Sequence, residues 1–224
     1  MLDHPKSQVT SKTFRIIPSH FPPIGLFEDL LDPEDLDMAY LLESFTNDRL
    51  ADQAGKIRLV PNDQRVVGPG TTAIMAAFTH TGIASRFTDG RFGVYYAGLS
   101  VETALAESIH SRTRFLTNSN TPATRLTMRC YTCKINSELV DVRADKKCHL
   151  EDWSSTQVLA AQLRKQGENG LLYHSVRHKG GTNIAIFKPN QLTPPANQSG
   201  HYEFIWDGTK ITNVFKLTSV NIEA

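Results

Sequence analysis

The stretch SRFTDGRFGVYYAGLSVETALAESIH, from Ser85 to His110, constrains this chain more than any other. Asp89-Gly90 is a turn signal, and the strand formers Val94, Tyr95 and Tyr96 follow it. Gly98-Leu99-Ser100 breaks the apolar run, and Val101 opens a series of good helix formers. Ser100 suits an N-cap, with Glu102 and Thr103 in the first turn and Ala104, Leu105 and Ala106 behind. The stretch therefore reads as turn, strand, short loop and helix. It gathers Arg86, Tyr96 and Glu107, a set suited to an anionic ligand that carries a sugar. A plainer reading stands beside this one, with Glu107 on a solvated helix face and Tyr96 half-buried in the core. Tyr95 and Tyr96 point to opposite faces of the strand, so only one of them can line the site. Glu102 is a second candidate carboxylate, but an acid in the first helical turn is expected on electrostatic grounds alone.

A second stretch, GENGLLYHSVRHKGGTNIAIFKP, runs from Gly167 to Pro189. Leu171 to Ser175 and Asn183 to Phe187 read as paired strands across the turn His178-Lys179-Gly180-Gly181. Taken together, the two stretches resemble the RES-domain family, named for its arginine, glutamate and serine. The matching residues are Arg86, Tyr96, Glu107, Gly170, Ser175 and the strand Gly181-Thr182-Asn183-Ile184-Ala185-Ile186-Phe187. An arginine on the family's first strand matches Arg15, within Thr13-Phe14-Arg15-Ile16. The resemblance extends from about Thr13 to Phe187, with a long unmatched insert between.

The resemblance implies an α+β, ADP-ribosyltransferase-like fold, with small antiparallel sheets around a central cleft and helices outside. It implies NAD as substrate rather than cofactor, cleaved between nicotinamide and ribose. Glu107, Arg86 and Ser175 would be catalytic, and Arg15, Tyr96 and Asn183 would bind substrate. The family spacing to Glu107 selects Tyr96 over Tyr95. Arg177 and His178 are accessory candidates, and His110 reads as structural. The chemistry is coherent: breaking that bond leaves positive charge on the ribose, which a carboxylate can stabilise. Arginine forks suit a pyrophosphate, an aromatic ring stacks on a flat ligand, and Ser175 can bind a phosphate or ribose oxygen. No G-x-G-x-x-G lies between a strand and a helix, so a hydride-transferring dinucleotide fold is not expected. The resemblance further implies a toxin silenced by a cognate antitoxin. ADP-ribose would pass to water or phosphate, or alternatively to a host protein.

Composition narrows the alternatives. The 224 residues suit one domain, and 40% hydrophobic content supports a globular core. A formal net charge of +1 gives no basic field for nucleic acid. No apolar run approaches the roughly 20 residues of a membrane helix. The N-terminal MLDHPKSQVTSK lacks a signal-peptide core, so a cytoplasmic protein is expected. Cys130, Cys133 and Cys148 are odd in number, and no second pair completes a zinc set, so neither disulfides nor metal are expected.

In chain order, residues 1–12 read as a loose leader and Thr13 to Ile17 as a short strand. Residues 26–70 read as a helical insert, led by a helix starting at Asp32-Pro33-Glu34, and as a surface for homo-oligomers. Thr71 to Phe78 is a helix, Thr113 to Thr121 a loop, and Arg125 to Ile135 and Leu139 to Val142 are strands. Trp153 to Lys165 is a helix. Asp207-Gly208 joins the strands Tyr202 to Trp206 and Lys210 to Leu217 in a hairpin. The chain reads as a single domain, 1–224.

Overall fold

The structure, a computed structural model, describes residues 4–19 and 57–218. The helix expected from Asp32-Pro33-Glu34, and the insert as far as residue 56, lie outside the described residues. Among those described are seven strands: β1 (Lys6–Pro18), β2 (Tyr95–Gly98), β3 (Thr124–Asp141), β4 (Gly170–His174), β5 (Thr182–Ile186), β6 (Leu192–Trp206) and β7 (Ile211–Leu217). Three α-helices accompany them, α1 (Thr72–Thr79), α2 (Val101–Asn118) and α3 (Ser154–Lys165). None is long and apolar enough to cross a membrane.

The α+β class holds. The strands form one mixed sheet in the order β1-β2-β5-β4-β3-β6-β7, and a further β1–β3 pairing closes five of them into a ring. What joins the expected small sheets into one is β3, which is bonded on both edges. One edge carries β1 antiparallel, from Lys6↔Val140 to Pro18↔Met128. The other carries β6 from Thr124 to Ile135, then β4 in parallel at Val140 and Asp141.

Three expectations need correction. The leader is half strand, because β1 begins at Lys6 and its mostly polar first half is held by the β3 ladder, with Val9 alone of that half buried in the core. The two strands expected over 125–142 are one, since β3 runs unbroken through Asn136 and Ser137. Those two polar residues find partners: Gln8 Nε2 and Thr10 Oγ1 both donate to Asn136 Oδ1 at 2.8 Å, and Ser137 Oγ donates to Gln191 Oε1 at 2.8 Å. The loop expected from Thr113 is the last part of α2, drawn on by the burial of Leu116 against Trp206 and Phe204. The hairpin at Asp207-Gly208 is as expected, with Gly208 at a φ of 100°.

Strand alternation separates the core into layers. Cys133, Ile135 and Leu139 of β3 face one side, with Tyr95, Ala97, Ile184 and Ile186, and are covered by Ile74, Met75 and Phe78 of α1. On the opposite side, Leu126, Met128 and Cys130 meet Val101, Leu105 and Ile109 of α2. Further along that side, Val140, Leu171, Tyr173 and Ala185 meet Leu159, Ala160 and Leu163 of α3. Helices α2 and α3 thus share the face onto which Tyr96, Tyr173 and Asn183 project.

Two tests follow. A Cβ on Gly93 would lie 2.3 Å from Phe78 Cα and 2.4 Å from the Ala77 carbonyl oxygen, both rigid backbone of α1. Gly93→Ala is expected to cost about 3 kcal/mol in urea unfolding, as overpacking does. Asp141 accepts from Ser7 Oγ of β1 at 2.9 Å and from Arg143 Nε at 2.9 Å. The Arg143 guanidinium, foremost among its neighbours, holds the Asp141 carboxyl down to about 2. A lowered folded value stabilises the protein above the unfolded value near 4 and is lost as pH falls toward 2. Asp141→Asn is therefore expected to lose about 2 kcal/mol at pH 7, with the deficit shrinking below about pH 4, read from urea midpoints.

Candidate active site

Helix α2 begins where Ser100 adopts extended backbone and its Oγ accepts the Thr103 N–H at 3.2 Å. Val101, Leu105 and Ile109, four residues apart, turn toward β1, β3 and β6. The opposite stripe is Thr103, Glu107, His110 and Arg114, at i, i+4, i+7 and i+11, and so is polar from end to end. The β4–β5 turn and the segment leading into α3 lie against this stripe.

At its centre stands Glu107. Ser175 Oγ donates to Glu107 Oε1 at 2.7 Å, and Asn183 Nδ2 donates to the same oxygen at 2.8 Å. Oε2 accepts no hydrogen bond from a described residue. Ser175 Oγ itself accepts the backbone N–H of Arg177 at 3.1 Å and of His178 at 2.9 Å. With both lone pairs engaged, the hydroxyl proton is directed to Glu107. Asn183 is 2% exposed, and its amide nitrogen must face the carboxylate, which only accepts. Three predicted residues from three elements, Glu107, Ser175 and Asn183, therefore meet at one oxygen.

Tyr96 pairs with Ala185 and projects to the same face as Asn183, whereas Tyr95 lies in the core on the other side. The Tyr96 hydroxyl is committed, 2.8 Å from Ser85 Oγ and 3.0 Å from the Phe87 N–H that donates to it. Burial pushes it up to about 12, so it remains a neutral phenol at any ordinary pH. Buried Tyr173, unremarked in the sequence, also lies on this face, its hydroxyl driven well above 10 by burial and then by the charge of Glu107.

The two predicted arginines make other contacts. Arg86 Nη1 donates to the carbonyls of Cys148 at 2.8 Å and Leu150 at 2.7 Å, and its guanidinium lies 6.0 Å from the Trp153 ring. Arg15 Nη1 donates to the Tyr96 carbonyl at 3.0 Å, with its guanidinium 5.1 Å from the Tyr95 ring. Burial lowers the value of Arg15. Neither arginine bonds to Glu107, Ser175 or Asn183 among the described residues. Arg86 holds the segment at the edge of the site, and Arg15 holds the strand that carries Tyr96.

Other cations come nearer to the polar stripe. Arg177, two residues after Ser175, donates from Nη2 to Glu151 Oε1 at 2.6 Å. Arg114 stacks on Trp153, with its guanidinium 4.5 Å from the ring centroid. His110 is lowered from its ordinary value, first by burial and then by Arg177. Helical spacing from Glu107 is the signal that picks out Arg114. Trp153 and Tyr173 carry no such signal. Cys130 and Cys133 lie in different core clusters, on opposite faces of β3, and their spacing brings together no pair of thiols.

A solved structure, the crystal structure of the M. tuberculosis MbcT–MbcA toxin–antitoxin complex, is similar with a TM-score of 0.46 and 11% identity, over 95% of this chain and 87% of that one. The uncharacterized protein y4oC of Sinorhizobium fredii (strain NBRC 101917 / NGR234) is 26% identical over 212 residues, 92% of this chain and 88% of its own length. The model of the RES domain matches residues 63–207. That span holds all three helices, strands β2 to β6 and each residue of the Glu107–Ser175–Asn183 cluster, and the chain belongs to the RES domain family.

Proposed function

We propose that this protein cleaves the bond between nicotinamide and ribose in NAD, passing the ADP-ribose to water or phosphate, and that it acts as a cytoplasmic toxin silenced by a cognate antitoxin. The observation that carries this reading is the Glu107 carboxylate, fixed through Oε1 by Ser175 and Asn183, while Oε2 accepts no hydrogen bond from a described residue. As the C1′–N bond breaks, its electron pair leaves with nicotinamide and the ribose takes up positive charge. A carboxylate already oriented by two donors stabilises that charge without reorganising at the moment of reaction. Water or phosphate then adds at C1′. Tyr96, held neutral beside Asn183, supplies an aromatic wall rather than a base. NAD is consumed as substrate, and no cofactor is required. The toxin and antitoxin roles rest on the family resemblance.

Purified protein incubated with NAD, with and without phosphate, tests the reading. Nicotinamide release is expected, with ADP-ribose as co-product by hydrolysis or its phosphorylated form by phosphorolysis. Glu107→Gln is expected to lower kcat by about 10²-fold or more, as loss of a group that stabilises transition-state charge does. Intact NAD in both conditions would overturn the reading, and a protein gaining the mass of ADP-ribose would replace it with protein modification. Arg86 offers a second test. Charge-assisted bonds to two carbonyls are worth roughly 1.5–3 kcal/mol each, less when partly exposed. Arg86→Met is therefore expected to lose about 2 kcal/mol of stability in urea. Unchanged stability with a raised KM would instead place Arg86 on the substrate.

A further inference from the structure

Glu107 and Ser175 lie on separate elements, and a single hydrogen bond between them does not hold those elements in register. Asn183 ties Glu107 to the sheet, and the turn that carries Ser175 is closed on itself, Ser175 N–H donating to the Gly181 carbonyl and Gly181 N–H to the His178 carbonyl, both at 2.9 Å. That turn is joined to α2 one helical turn before Glu107. Thr103 Oγ1 lies 2.9 Å from His178 Nδ1 and 3.0 Å from Ser100 Oγ, the N-cap of the same helix. Thr103 is 1% exposed, so water does not substitute for this contact. The pair lies tightly against Gly181, where a Cβ would stand 2.6 Å from Thr103 Oγ1 and 2.8 Å from His178 Nδ1. His178 acts at both ends: its ring meets Thr103, and its backbone N–H is one of the two that donate to Ser175 Oγ.

We propose that Thr103 and His178 are positioning residues, a clasp that holds the Ser175 hydroxyl on Glu107 during NAD cleavage. The proposal rests on the reading of Glu107 given above. Without the clasp, the His178 amide moves off Ser175 Oγ, one lone pair is freed, and the hydroxyl rotates away from the carboxylate. Neither residue needs to touch substrate, so binding should survive while turnover falls.

The test combines two measurements on the full chain. Amide shifts of Arg177 and His178, read by NMR without ligand, report the clasp directly. Steady-state nicotinamide release from NAD reports its consequence. In Thr103→Val, which keeps the shape and loses the hydroxyl, both amides are expected to shift. The kcat is expected to fall on the order of 10-fold with KM within about twofold, less than the ~10²-fold that a full 1 Å misplacement of a catalytic group can cost. Thr103→Ser should restore shifts and kcat together. Should Thr103→Val fail to fold, His178→Asn, whose side-chain amide reaches the Nδ1 position, should retain turnover that His178→Leu loses. Unmoved amides and unchanged kcat in Thr103→Val would overturn the proposal, as would equal losses in the Val and Ser variants. If wild type releases no nicotinamide while the amides still respond, the clasp stands and the NAD reading falls.

Discussion

Strand β3 is hydrogen-bonded along both edges and packed on both faces, and the other elements take their places from it. Its bond with β1 runs the whole length of that strand. Its other edge is divided between β6 and β4, so one strand holds the closed ring and the β6–β7 extension together. Because side chains alternate along it, Ile135 and Leu139 are covered by α1, while Met128 and Val140 look toward α2 and α3. The division of helices between the two faces follows from the pleat.

The site arises where that division leaves a gap in apolar cover. Helix α2 has one stripe committed to the core through Val101, Leu105 and Ile109. Its other stripe meets the β4–β5 turn, a segment whose backbone amides seek acceptors. Ser175 Oγ supplies one for Arg177 and His178, and so its own proton is left for Glu107. The orientation of the candidate catalytic carboxylate is thus a consequence of satisfying turn amides.

How much of this was legible depended on range. The start of α2 at Ser100, the pairing of 171–175 with 183–187, which the structure sets one residue earlier, and the hairpin at Asp207-Gly208 are written in neighbouring residues, where capping and turn chemistry act. The length of β1 was not, because Lys6 to Thr10 carry a single apolar residue, Val9, and are held by partners more than 120 residues away. Asn136 and Ser137 read as a strand break until Gln8, Thr10 and Gln191 supply their hydrogen bonds. The loop reading of 113–121 failed for the same reason, since Leu116 continues the helix only because Trp206 and Phe204 stand against it.

The sequence by itself determined the residue types that meet at Glu107 and the α+β class, through local turn, cap and strand signals and through the family's spacing. Tertiary structure alone decided which atoms they use. Ser175 and Asn183 converge on one oxygen because a helix and a sheet pack there. Arg86 turns to the carbonyls of Cys148 and Leu150, 62 and 64 residues away, and Arg15 to the backbone of Tyr96, 81 away. A guanidinium takes the nearest acceptor in space, and distance in space is set by packing that no local pattern encodes.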